Sequence, residues 1–288
     1  MQMIWYKSPH GNVGDDLNPW IWPRLFGDVF EERSSTGFAG IGSILINDYF
    51  TPFSHRIVFG SGVRWQKTAP NIRIGSWDVR FVRGPLSARV LGGVPWISDP
   101  AILAPLIYGD GAFRDGFGSG GRIGYVRYFL SPVDEAASLC KRFDLLPIDP
   151  TWAPERFIDA LRHCRAVICE AMHGAILADA FRVPWIGIRL HSDREEGPTA
   201  RFKWRDWVAS VGLPASAAPA VRAGTFLPRR LRFRLASPIS ADEAARRVDA
   251  TLRAERFHLS DASTLRTRQD QILAEVDRLK MDLNVGRA

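Results

Sequence analysis

The sequence predicts an α/β protein made of two strand–helix–strand halves that face each other, closed by a helical tail. Three observations carry this expectation. The stretch Arg165 to Ile188 reads as one complete βαβ unit. Apolar runs of strand length alternate with helix patterns both before and after it. A glycine-rich break, Tyr108 to Gly121, divides the alternating pattern into two parts.

Taken in order, Met3-Ile4-Trp5-Tyr6 is the first strand, and its loop, Lys7 to Asp16, contains Gly-Asn-Val-Gly-Asp-Asp. A helix is expected to follow, with Asn18 as its cap, Pro19 at its first position and Pro23 limiting it. Gly40 to Ile46 and Arg56 to Phe59 are further strands, the second running into Gly60-Ser61-Gly62. Ile72 to Val82 carries a strand pattern ending at Arg83-Gly84-Pro85, and Leu86 to Leu91 is a short helix closed by Gly92-Gly93. Trp96-Ile97-Ser98 then leads into Asp99-Pro100-Ala101. GDGAFRDGFGSGG has no periodicity, so the boundaries are set at 1–108, a linker 109–121, and a second half 122–225. In that half Arg122 to Leu130 and Leu145 to Ile148 are strands, while Val133 to Phe143 and Pro154 to His163 are helices. The βαβ unit consists of Ala166 to Cys169, a polar turn, a helix through Phe181, and a strand from Pro184. Residues 226–288 form a basic segment and a helical tail, where Leu265, Ile272, Val276, Leu279 and Leu283 make one apolar stripe. That stripe either packs on the body or meets another chain.

Composition excludes several classes. No apolar run approaches the roughly 18 residues of a membrane helix, and the N-terminus has no charged-then-apolar export pattern. Three cysteines are too few and odd in number for a disulfide framework, which points to a reducing cytoplasm. The net charge is +7, with arginines concentrated in Pro228 to Leu235, where they alternate with Leu231, Phe233 and Leu235. No nucleic-acid motif accompanies them, so no nucleic-acid partner is expected. An arginine-covered edge strand is one reading. The other is peripheral contact with the inner membrane face, at about 1 kcal/mol per basic residue near anionic lipid.

The candidate chemistry lies in the loops. Gly11-Asn12-Val13-Gly14 can present backbone N–H groups to an anion or simply open a helix. It lacks the Lys-Ser/Thr of a P-loop, and Asp15 and Asp16 beside it favour a hydroxylic ligand whose protons they could accept. Arg83, at a strand end, offers a planar fork for carboxylate or phosphate. His173 follows a buried strand, where it can act as a general acid or as a cation to an anion, and Gly174 permits close approach. Lys203 could close over an anionic ligand, and Trp204 and Trp207 could stack on a sugar or anchor a helix. Cys164, Cys169 and His173 have no metal-ligand spacing, so no metal is expected.

In this order, Gly11 to Asn18, Gly60-Ser61-Gly62, Arg83-Gly84-Pro85 with Ser87, Asp99-Pro100-Ala101, Glu170 through His173-Gly174 to Asp179, Pro184 and Phe202-Lys203-Trp204 resemble the polysaccharide pyruvyl transferase family. The resemblance covers residues 1 to about 210, and the tail carries no part of it. It implies two Rossmann-like domains across a cleft, as in GT-B-like glycosyltransferases. The acceptor lies on the first domain and the donor on the second. It further implies phosphoenolpyruvate as donor, a lipid-linked oligosaccharide or polysaccharide as acceptor, a cyclic ketal as product, and no cofactor. On that reading His173, Asp15 and Asp16 are catalytic. Arg83, Lys203, Gly174 and Glu170 bind the donor, and Gly11, Asn12, Gly14 and Ser61 form the acceptor or anion loop. Many members read Arg-Leu-His where this chain has Ala171-Met172-His173, so the histidine carries over and the arginine does not. Arg189-Leu190-His191 spells the same letters after the following strand and reads as coincidence. A nucleotide-sugar glycosyltransferase and a non-catalytic carbohydrate-binding protein are the competing readings.

Overall fold

A computed structural model describes residues 1–64, 66–109, 121–190, 198–219 and 240–285. The glycine-rich segment between 110 and 120 and the basic segment Pro228 to Leu235 lie outside the described residues.

Among the described residues, two four-stranded sheets, each wholly parallel, form the framework. The first holds β1 (Gln2–Ile4), β2 (Thr36–Ala39), β3 (His55–Phe59) and β4 (Ser76–Phe81) in that spatial order. The second holds β5 (Ile123–Val126), β6 (Leu146–Ile148), β7 (Ala166–Cys169) and β8 (Trp185–Gly187) in the order β6-β5-β7-β8. Because β6 and β7 lie on opposite sides of β5, the connections diverge there, and the crevice at the carboxyl ends of β5 and β7 is a topological switch point. β5 and β7, at the centre of the second sheet, are buried along their whole length, which is why they read as unbroken apolar runs.

Helix α1 (Val13–Phe26) follows β1 and starts six residues before Pro19, with Asn12 at its cap. Asn18 is therefore not the cap but an interior, fully buried residue. Pro19 has no N–H to give the Asp15 carbonyl, and the Asn18 side chain supplies that bond instead (3.0 Å). The same amide clasps the backbone of Ile41 from both sides and accepts from Trp22 Nε1. Gly40 to Ile46 is likewise a loop rather than a strand. Gly42 takes φ +130 there, and only Leu45 bridges to Val63.

The remaining helices are α2 (Asn47–Phe50), α3 (Pro85–Val90), α4 (Ala104–Tyr108), α5 (Val133–Arg142), α6 (Pro154–Arg162), α7 (Met172–Ala180), α8 (Pro198–Ser210), α9 (Ala241–Ala254) and α10 (Ala262–Val285). A 3-10 turn, Pro100–Leu103, precedes α4. No helix among the described residues is long and apolar enough to cross a membrane.

Trp22, Phe26, Phe38, Phe59 and Phe81 pack largely edge to face beneath the first sheet. Trp185, Trp204 and Trp207 form a second aromatic group, and both α8 tryptophans are buried, so they anchor the helix rather than offer a sugar platform. The apolar stripe of α10 packs on the body: Leu265, Ile272, Val276 and Leu279 are buried in the same core as α1. Gln269 Nε2 donates to the Ile102 carbonyl (2.8 Å), which ties α10 to the 3-10 turn.

Candidate active site

At the carboxyl edge of the first sheet, the loop after β1 delivers the first turn of α1. Gly11 takes φ +82, and a Cβ there would come within 2.8 Å of the Thr151 carbonyl oxygen, so the position needs glycine on both counts. The Val13 N–H donates to the Pro150 carbonyl (2.7 Å), so this loop docks on the second sheet's edge. The Asp16 carboxylate accepts from the Asn12 N–H (2.9 Å), and Asp15 accepts from the Asn12 side chain. Asp15 is buried beside Gly42. Burial pushes its carboxyl up from 3.8 to about 6. The charges of His173 and Lys203 and the bond from Asn12 oppose that rise, while Asp16 adds to it.

Arg83 leaves the end of β4 and is 0% exposed. Its Nε donates to Asp206 Oδ2 (3.3 Å) and its Nη1 to Ser43 Oγ (2.8 Å), next to the Gly42 that faces Asp15. The guanidinium lies over Gly62, in the space any Cβ there would take. Nη2 is buried and has no hydrogen-bond partner, although a donor left so is costly. Asp206, from α8, accepts from the N–H groups of Leu86 and Ser87 (2.9 and 3.0 Å) and from Ser87 Oγ (2.5 Å), so it caps α3 while holding Arg83. Lys203 stands one turn before Asp206 on α8. The Ser61 hydroxyl is buried and donates to the Gly40 carbonyl (2.6 Å).

At the switch point of the second sheet, Arg127 donates to both oxygens of Asp149 (2.8 and 3.0 Å) and to the carbonyls of Tyr128, Phe129 and Ser131. Burial tends to raise the Asp149 carboxyl, but bonds from Thr151 and Arg127 hold it below its ordinary value. Glu170 is buried and accepts from the Tyr128 N–H (2.9 Å), the Ser131 hydroxyl (3.1 Å) and the Leu190 N–H (3.0 Å). A Cβ on Gly174 would crowd Val126 and Cys169, which gives that glycine a packing reason: it lets α7 lie on the sheet.

His173, in the first turn of α7, reaches across to the first half. A Cβ built on Gly14 would overlap its imidazole, and its Nε2 lies 3.6 Å from Asp99 Oδ2. The structure thus brings Asp15, His173 and Lys203 into electrostatic contact and places Arg83 one residue beyond. Among the described residues, no three of His, Cys, Asp and Glu converge as metal ligands would. The thiols are buried and their protons held on, with Cys164 pushed up to about 12.

A family model described as polysaccharide pyruvyl transferase matches residues 25–192. The chain is also 32% identical over 265 residues to the succinoglycan biosynthesis protein ExoV of Rhizobium meliloti (strain 1021), a similarity that covers 89% of this chain and 72% of that protein. The chain belongs to the polysaccharide pyruvyl transferase family. It is a transferase of that family. No solved structure matches it.

Two polar residues of this pyruvyl transferase escaped sequence reasoning as site components. Asp99 stood in a quoted motif without a role, although an Asp before a proline and a short turn is the pattern of a cap; its Oδ1 does accept from the Ala101 N–H (3.0 Å). Asp206 was hidden among basic and aromatic neighbours. A single carboxylate on the buried side of a helix, between Trp204 and Trp207, was the available signal. The β7–β8 register pairs Cys169 with Gly187, so Arg189 stands two residues past that pair, as Ala171 does. Arg189 is thus a buried arginine at the same edge, which its sequence position alone did not reveal.

Proposed function

We propose that this transferase moves the three-carbon unit of phosphoenolpyruvate onto two hydroxyls of one sugar in an exopolysaccharide repeat unit, forming a cyclic pyruvate ketal and releasing phosphate. The relative's role in succinoglycan biosynthesis supports a polysaccharide-bound acceptor. The observation that carries the reading is the meeting of Asp15, whose carboxyl is pushed up to about 6, with the charges of His173 and Lys203, next to Arg83. Phosphoenolpyruvate is a dense anion, and Arg83 with Lys203 supplies positive charge from both halves. Its methylene carbon takes a proton, with His173 as the donor, and an oxocarbenium-like centre forms at the adjacent carbon. One sugar hydroxyl attacks that carbon and gives its proton to Asp15. Loss of phosphate regenerates the cation, and the second hydroxyl closes the ring, its proton leaving with phosphate. Asp16 and the Gly11 to Gly14 loop, with Ser61, line the acceptor side. Glu170 and Gly174 shape the donor side, because their own contacts are within the fold.

We further infer a GT-B-like arrangement, with residues 1–108 as acceptor domain and 122–225 as donor domain. The bond from Val13 to Pro150, the seat of His173 on Gly14 and the reach of Asp206 to α3 support this, since each joins one half to the other.

The test incubates purified protein with phosphoenolpyruvate and an exopolysaccharide fragment stripped of its ketals by mild acid. Parallel reactions contain nucleotide sugars. Phosphate release coupled to the mass increment of a pyruvate ketal is expected, and His173→Ala abolishes both while leaving the protein folded. Nucleotide release without any reaction of phosphoenolpyruvate sinks the proposal.

A further inference from the structure

The sequence offers His173 as a lone titratable group, and the structure gives it a companion from the other sheet. Asp99 ends the segment that follows α3 and is 0% exposed. Its Oδ1 is committed to the Ala101 N–H at the start of the 3-10 turn, whereas its Oδ2 is buried with no hydrogen-bond partner. His173 Nε2 is likewise buried without a partner. The two orphaned atoms face each other at 3.6 Å. A buried polar atom left unmatched costs on the order of 1–3 kcal/mol, so two of them side by side mark a contact made for a purpose. The separation exceeds a formed hydrogen bond by a few tenths of an ångström, as is common in unliganded catalytic pairs.

We propose that Asp99 is a positioning residue for His173: its Oδ2 holds the proton on Nε2 and leaves Nδ1, the nitrogen seated on Gly14, to work on the ligand. The chemistry of the pair is that of a carboxylate fixing an imidazole tautomer. Nothing on the Nε2 side can be substrate, because that nitrogen is enclosed. Gly14 and Asp15 belong to the same turn of α1, so a group on Nδ1 meets the acceptor loop at once. The assignment of the acting nitrogen rests on the transferase reading, but the tautomer does not.

The variant D99N separates this role from a purely structural one. The amide oxygen keeps the cap on Ala101, while the amide N–H turns toward His173 Nε2 and forces that nitrogen to accept. The experiment labels all six histidines with 15N, assigns His173 by its loss in H173Q, and reads the neutral tautomer from long-range 1H–15N correlations at alkaline pH. Wild-type protein shows the proton on Nε2, and D99N shows it on Nδ1. In the phosphoenolpyruvate assay D99N loses about 100-fold or more in kcat, with little change in KM. A wild-type ring protonated on Nδ1 overturns the proposal, and that measurement needs no variant to fold. A flipped tautomer with wild-type kcat overturns the assignment of Nδ1 as the acting nitrogen. If the protein turns over nothing with phosphoenolpyruvate yet the tautomer flips, the positioning role stands and the functional reading falls.

Discussion

At the carboxyl edge of the second sheet, the charged side chains of Glu170 and Arg127 are spent largely on the fold, although Arg127 Nε is buried without a hydrogen-bond partner. Glu170 accepts from two backbone amides and a hydroxyl, and the Nη atoms of Arg127 bind Asp149 and three carbonyls. At the carboxyl edge of the first sheet, charged side chains keep something in reserve. Arg83 Nη2 and Asp99 Oδ2 are buried without partners, and Asp15 is held near 6 by burial. Both edges are where α/β proteins place ligands, so position alone does not separate the two sets. Commitment does: a group whose lone pairs and protons are used by backbone sets shape, and a buried group with capacity left over is held ready for a ligand. His173 is the second edge's contribution, and it faces the first edge's reserve.

The sharpest way to break this contrast is to remove one carboxylate from each edge. Asp15→Asn is expected to lower kcat about 100- to 10,000-fold, the range for loss of an acid–base group, and kcat/KM of the wild type is expected to show an acid limb near 6. Its effect on stability runs the other way. A folded value raised above the ordinary 3.8 means that the stabilisation from the bound proton is complete below 3.8 and lost as pH rises through about 6. The neutral asparagine escapes that loss, so urea midpoints for wild type and variant coincide at low pH. At pH 7 the variant is ahead, by as much as about 3 kcal/mol. A variant that is less stable at pH 7 would place Asp15 among the structural carboxylates.

Glu170→Ala is the counterpart, with an expected effect of the opposite kind. It strands the Tyr128 and Leu190 amides and is expected to cost about 2–6 kcal/mol in urea denaturation, at about 1–3 kcal/mol for each buried donor left unmatched. Turnover of the folded fraction is expected to fall less than in Asp15→Asn. A fully stable but inactive protein would move Glu170 to the reactive set.

The alternating strands and helices were most legible in the second half, because the central strands β5 and β7 of its parallel sheet are fully buried, which leaves continuous apolar runs. Helix α1 was misjudged for a physical reason. Pro19 signals a helix start, but the Asn18 side chain replaces the bond that proline cannot make, and no local rule reports that substitution. In the candidate site, the sequence singles out His173, Arg83 and Asp15 because each residue type stands out in its loop. Asp99 and Asp206 are not singled out, since their roles lie in contacts reaching 74 residues for Asp99–His173 and 123 for Arg83–Asp206. Trp204 and Trp207 left two readings open until their burial was known. Long-range pairing is invisible to periodicity, and it is what separates the reserved charges from the committed ones.

Gly14→Ala tests the join between the two edges with a single methyl group. Position 14 lies in the first turn of α1, where alanine is the better helix former by about 1 kcal/mol, so the helix itself is not weakened. The added Cβ falls in the space of the His173 imidazole, and something must yield. The ring is the movable party, because the backbone around the glycine is fixed by the Val13–Pro150 bond and the bond from the Asn12 N–H to the Asp16 carboxylate. Turning the ring away takes Nε2 from Asp99 and Nδ1 from the acceptor loop together. The expected result is a loss of about 10- to 100-fold in kcat, the scale of a displacement near 1 Å in an active site, with the urea midpoint close to that of the wild type. The histidine spectrum of the variant should show His173 alone displaced. Wild-type turnover in Gly14→Ala would mean that the imidazole acts from a position the two edges do not define.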